Sequence, residues 1–266
     1  MTTNYLQRPH GRIAYDVAGS GPLVVCIPGM GELRSTYRAL VPALVAAGHR
    51  VAIMDLRGHG DSDASFDRYD DVAAGEDALA LVEHLGGPAV LVGNSMGAGA
   101  AVWAAVERPS AVNALVLTGP FVRDVPTGWF KAAVFRLTLL RPWGRAAWLA
   151  YYPKFFPGRR PADFDEHRAA IDASLRRPAY WRAFHATTHT SHAPAEARLD
   201  QVDVPVLVVM GDADPDFADP AAEGRLVAER LHGELVLVPG SGHYPHAEYP
   251  EVVTPAVCSF LGRVDA

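Results

Sequence analysis

Six short apolar runs, Leu23–Ile27, Val51–Met54, Ala89–Val92, Val112–Leu117, Val204–Met210 and Leu235–Val238, recur along the 266 residues. They are nearly continuous rather than alternating, the pattern that strands need when helices cover both faces of a parallel sheet. Helical spacing fills the gaps over Tyr37–Ala47 and Val72–Leu85, the latter setting Val72, Leu79, Val82 and Leu85 against Glu76, Asp77, Glu83 and His84. Arg12–Val17, closed by the Gly19-Ser-Gly21 turn, reads as an early antiparallel strand at the sheet edge. The expected fold class is α/β, with a mostly parallel sheet of about eight strands. A membrane span over the uncharged stretch Leu85–Val106 is excluded by Pro88, Gly93, Asn94, Gly97 and Gly99, which divide it into strand, turn and helix.

The alternation of strand and helix stops between Thr118 and Val204. Here Pro126, Pro142, Pro153, Pro157, Pro161, Pro178 and Pro194 punctuate short helical pieces, and an excursion of this length is expected to be a helical lid. Residues 1–120 and 199–266 then form one core and 121–198 the lid. The net charge of −6 divides along the same boundary: 121–198 carries +7 and 14 of the 24 aromatic residues, and the remainder carries −13. Charge pairing between the two parts is the simpler reading. The sharper one is that lid arginines admit an anionic, partly apolar acyl substrate.

No run of Lys or Arg is long enough to track a phosphate backbone, so nucleic acid is not an expected partner. Two cysteines, Cys26 in a strand-like run and Cys258, provide neither a disulfide framework nor a paired-cysteine metal site. Together with an N-terminus lacking a charged start and apolar stretch, this suits a cytoplasmic setting.

The chemistry concentrates at three points. Gly93-Asn94-Ser95-Met96-Gly97 stands where a buried strand gives way to a helix of small residues, a context in which a sharp turn exposes the serine hydroxyl. A serine hydroxyl needs a base, and the base an orienting carboxylate. Gly211-Asp-Ala-Asp-Pro-Asp216 and Pro239-Gly-Ser-Gly-His243 supply both, each just past a strand end, where open α/β sheets bind ligands.

With these pieces, Tyr15–Gly21, Cys26-Ile-Pro-Gly-Met-Gly31, Asp55-Leu-Arg-Gly-His-Gly-Asp-Ser62 and Gly242–Glu248, the chain resembles the α/β-hydrolase superfamily over essentially its whole length. The resemblance implies an eight-stranded sheet with a helical lid after the sixth strand. It also implies Ser95 as nucleophile, His243 as general base and acid, Asp214 as orienting carboxylate, and the N–H groups of Met30 and Met96 as oxyanion hole. No metal or organic cofactor is implied. Two departures stand out: Pro28-Gly29 replaces the familiar His-Gly of the oxyanion loop, and the acid loop offers Asp212, Asp214 and Asp216, of which Asp214 has the expected offset from Gly211. Asp124, after the preceding strand, is a competitor for the acid.

The expected reaction is cleavage of a small ester or lactone through an acyl-enzyme. The alternatives are carbon–carbon hydrolysis, because Gly-Asn-Ser-Met-Gly is similar to the elbow of meta-cleavage product hydrolases; perhydrolysis on the same triad; and a ligand-binding, non-hydrolytic use of the fold. The lid must wall any pocket, so Trp129, Phe130, Trp143, Trp148, Trp181 and Phe184 are its candidates. Asp55, Arg57, His59 and Asp61 read as loop supports; His185, His189 and His192 as a polar helix surface or pocket lining rather than a metal site; His246 and Glu248 as local structure.

Overall fold

The computed structural model describes residues 2–125 and 129–264, with residues 129–133 as backbone only. Among them, strands β1 (Asn4–Arg8), β2 (Gly11–Ala18), β3 (Leu23–Ile27), β4 (Arg50–Met54), β5 (Ala89–Asn94), β6 (Val112–Thr118), β7 (Val206–Gly211) and β8 (Glu234–Val238) form one sheet in the order β1-β2-β4-β3-β5-β6-β7-β8. β3 to β8 are mutually parallel, while β2 runs antiparallel to both β1 and β4. The helices are α1 (Val41–Ala46), α2 (Asp71–His84), α3 (Met96–Glu107), α4 (Trp129–Thr138), α5 (Gly144–Tyr151), α6 (Phe164–Arg176), α7 (Pro178–Thr187), α8 (Ala193–Glu196), α9 (Pro220–Arg230), α10 (Pro245–Glu248) and α11 (Pro250–Val264).

The reason for continuous apolarity is visible along β3. Val25 and Ile27 join a core with α2, α3 and α9 on one face, and Val24 and Cys26 join a core with α1 and α11 on the other, so all four are fully buried. Burial also pushes the Cys26 thiol well above its ordinary range, leaving it an inert core residue.

Three expectations are adjusted. β1 pairs with β2 outside the predicted edge strand. The helix expected over Tyr37–Ala47 divides into a 3₁₀ turn, Arg34–Tyr37, and α1, because Pro42 fits only a first helical turn. β7 starts at Val206 rather than Val204, since Pro205 has no N–H for the ladder.

Helices α4 to α8 lie between β6 and β7. In this stretch Trp148, Tyr152, Phe155, Phe156, Phe164, Trp181 and Phe184 form a separate apolar cluster, which Tyr244 and Ala247 join from the core. Charged contacts fasten this insert to the rest: Arg38 to Asp163, Arg123 to Glu223 (2.8 Å), Arg159 to Glu251, His167 to Glu32 (2.8 Å) and His192 to Asp71 (2.7 Å). The pairing runs between the +7 and −13 parts of the sequence, which is the simpler of the two charge readings.

Candidate active site

The loops after β3, β5, β6, β7 and β8 meet at the C-terminal edge of the parallel strands. Between β5 and α3, Ser95 adopts φ 54° and ψ −124°, a left-handed conformation that a non-glycine residue holds only when its surroundings force it. Those surroundings are tight. A Cβ on Gly97 would lie 2.2 Å from the Ile27 carbonyl oxygen, and one on Gly93 2.4 Å from that of Gly97. Only glycine fits at either side of this serine. The Ser95 hydroxyl makes no hydrogen bond among the described residues.

Asn94 points into the sheet rather than toward a substrate. Its Nδ2 donates to the carbonyls of Thr118 (2.9 Å) and His243 (3.2 Å), tying the elbow to the strand beside it and to the histidine loop.

His243 Nδ1–H donates to Asp214 Oδ2 at 2.7 Å, with both side chains buried. Phe121 and Phe155 pack against the imidazole at ring separations of 5.7 and 5.4 Å. The histidine loop is clamped by Glu248, whose buried carboxylate accepts from Gly242 N–H (2.7 Å), the Ser241 hydroxyl (3.1 Å), and the N–H groups of Gly158 (2.7 Å) and Arg159 (2.8 Å) in the insert.

The other two aspartates of the acid loop divide. Asp212 accepts from Gly240 N–H (2.6 Å) and supports the loop. Asp216 is partly buried, its Oδ2 lies 3.9 Å from His243 Nδ1, and Tyr151 lines the same cavity wall. Burial first, then repulsion from Asp214, pushes the Asp216 carboxyl up to about 6. Burial disfavours the His243 cation, but attraction and hydrogen bonding to Asp214, with Asp216 adding to them, prevail and raise the imidazole to about 9. One oxygen or nitrogen from each of Asp214, Asp216 and His243 lies within 4.8 Å of the others, the one grouping of metal-capable side chains among the described residues; the Asp214–His243 hydrogen bond already occupies two of the three. Asp124, the competing acid, is elsewhere: it accepts from the Ser191 hydroxyl (2.6 Å) and His192 N–H (2.8 Å).

The loop after β3 reaches Ser95 through Gly29, where a Cβ would stand 2.8 Å from Ser95 Cβ. The N–H groups of Met30 and of Met96, the first residue of α3, donate to no described acceptor. His59 holds the loop: its Nδ1–H donates to the Arg57 carbonyl (2.9 Å), so its Nε2 accepts Gly31 N–H (3.0 Å). Burial keeps this imidazole below its usual range and therefore neutral, as the acceptor role requires. Arg34, bonded to Asp55, Asp16 and Asp61, braces the strand ends beneath. Glu32, fully buried, accepts from the Tyr152 hydroxyl and from His167 of the insert.

A cavity of about 800 Å³ adjoins this arrangement, walled by Met30, Phe121, Phe155, Trp148, Tyr151, Leu139, Val134 and Phe135, with Asp124, Asp216, Thr188, Thr190, Ser191 and His192 among its polar residues. Of the six aromatic candidates from the sequence, Trp148 lines it. Trp181 and Phe184 are packed behind in the insert's own cluster. Trp143 is 54% exposed, its Nε1–H donating to the Leu137 carbonyl, because it caps α5 on the outer side. The side chains of Trp129 and Phe130 lie outside the described residues. No Arg or Lys lines the cavity among the described residues, so the sharper charge reading, lid arginines admitting an anionic substrate, finds no support there. Of the insert's arginines, Arg123, Arg159 and Arg198 reach core carboxylates, while Arg145 and Arg176 pair with Asp172 inside the insert. Sequence reasoning missed Phe121, Tyr151, Phe155 and Glu32, which carry no motif; the adjacency of Phe121 to the end of β6 was the one available signal.

Residues 24–256 match the model of the alpha/beta hydrolase family, and the chain belongs to that family. It is 30% identical to the 2-(acetamidomethylene)succinate hydrolase of Mesorhizobium japonicum over 94% of this chain and 92% of that protein. It is 31% identical to a pimeloyl-[acyl-carrier protein] methyl ester esterase of Neisseria meningitidis over 86% and 88%. Among solved structures, a bromoperoxidase from Bacillus anthracis superposes with a TM-score of 0.85 at 22% identity, covering 98% of this chain and all of the other, a likeness of fold. The protein is a hydrolase of this family, and no helix among its described residues is long and apolar enough to cross a membrane.

Proposed function

We propose that the protein is a serine hydrolase that cleaves a small, largely apolar ester or lactone through an acyl-enzyme. The observation that carries this reading is the buried 2.7 Å pair of Asp214 and His243, whose loop is tied through Asn94 to the turn that holds Ser95 at φ 54° between two glycines that nothing larger could replace. His243 Nε2 takes the Ser95 proton as the hydroxyl oxygen attacks the acyl carbon, and Asp214 stabilises the imidazolium that forms. The unpaired N–H groups of Met30 and Met96 receive the developing oxyanion. His243 then passes its proton to the leaving alcohol and activates the water that clears the acyl group. The insert acts as a lid whose inner aromatic residues wall the acyl pocket. An ester substrate accords with the esterase among the relatives.

Asn94, the residue that favours carbon–carbon cleavage, is engaged by two backbone carbonyls, so its presence says little about substrate. A fluorophosphonate probe is expected to label the wild type, with Ser95→Ala losing both label and hydrolysis of short aryl esters. A wild type that is neither labelled nor active on such esters refutes the reading.

A further inference from the structure

A second carboxylate–histidine pair reaches the cavity wall through its histidine, built from parts of the chain that the catalytic arrangement does not use. Asp71, in the first turn of α2, is fully buried, and His192 Nδ1–H donates to its Oδ2 at 2.7 Å. That oxygen rests against α3 where Gly99 leaves room: a Cβ there would lie 2.4 Å from it. The backbone N–H of His192 is fixed separately, by Asp124 at 2.8 Å. The ring is thus held from two directions. Nδ1 is committed to Asp71, so the ring offers Nε2 to the cavity; this atom bonds to no described residue and is not sealed from solvent.

Phe121 stands between the two imidazoles, its ring 5.6 Å from that of His192 and 5.7 Å from that of His243. An acyl chain attached at Ser95 and lying along Phe121 would bring a group several bonds from the scissile carbonyl to His192. The charged groups on the described cavity wall, Asp124 and Asp216, are carboxylates, which disfavour an anionic group on the bound chain.

We propose that His192, oriented by Asp71, is a substrate-binding residue whose Nε2 hydrogen-bonds to a hydroxyl on the distal part of the acyl chain, so that the substrate class is a neutral hydroxyacyl ester. This rests on the serine-hydrolase reading, and the test separates the two. 4-Nitrophenyl esters of butanoic to octanoic acid, with and without a terminal hydroxyl, are compared in wild type, His192→Phe and His192→Gln, with the rate of Ser95 phosphonylation measured in each as a control for folding. At one chain length or more the wild type is expected to favour the hydroxylated ester about tenfold in kcat/KM, chiefly through KM. His192→Phe is expected to abolish that preference, and His192→Gln, which keeps a hydrogen-bonding group near the same place, to retain part of it. A wild type that is labelled and hydrolyses the plain esters but shows no preference at any length, or a preference that survives His192→Phe, overturns the inference alone. A wild type that is not labelled overturns both.

Discussion

Two aspartates two residues apart share one histidine and hold it differently. Asp214 accepts its Nδ1–H, while Asp216 stands 3.9 Å away on the cavity wall and acts through charge. His243 is raised to about 9, so kcat/KM is expected to climb with pH as the imidazole loses its proton, with a midpoint above that of an ordinary histidine. Removing the Asp216 charge disfavours the imidazolium. Asp216→Asn should therefore move that midpoint toward acid by about one unit, and an unmoved pH–rate profile would show that Asp216 has no electrostatic hold on the site. Such distinctions were only half legible in the sequence. The Gly211 offset selects Asp214 over its neighbours, but nothing in the spacing shows that Asp216 faces the cavity or that a tyrosine sixty-odd residues upstream shares that wall. Asp124 illustrates the same gap: its place after β6 suits a catalytic acid, and only its bonds to Ser191 and His192 show where the carboxylate goes.

Among the elements, strands with both faces covered were the most readable, because burial on two sides leaves no polar positions to blur the pattern. β1 was not, since Asn4–Arg8 is an edge strand with mixed exposure and no apolar run. The loops that present the site are a different matter: their shape depends on side chains contributed from far along the chain. Glu248 is the clearest case, a buried acceptor shared by the histidine loop and by Gly158 and Arg159. Glu248→Ala leaves several buried donors without an acceptor and is expected to cost about 3 kcal/mol of stability, together with a drop in kcat. Urea unfolding measures the first; a loss below 1 kcal/mol would mean that water replaces the carboxylate at little cost.

For the whole molecule, the division of charge between residues 121–198 and the rest is a matter of assembly. Arg38–Asp163, Arg123–Glu223 and Arg159–Glu251 all cross the boundary, and the described cavity wall has carboxylates but no Arg or Lys. Salt screens an attraction only where one exists. The KM for a monoanionic ester is accordingly expected to stay flat or fall slightly as ionic strength rises, matching that of its neutral counterpart within a factor of about two; a KM that climbs steeply with salt for the anionic ester alone would restore the arginines as substrate guides.

Glu32 sits two residues beyond Met30, and the insert's Tyr152 and His167 both bond to its buried carboxylate. Hinging the insert away would strip that carboxylate of its partners beside the very loop proposed to receive the oxyanion. The roof and the catalytic floor are therefore one mechanical unit, and grafting a foreign roof onto this protein to change its substrate range would have to carry counterparts of Tyr152 and His167 with it.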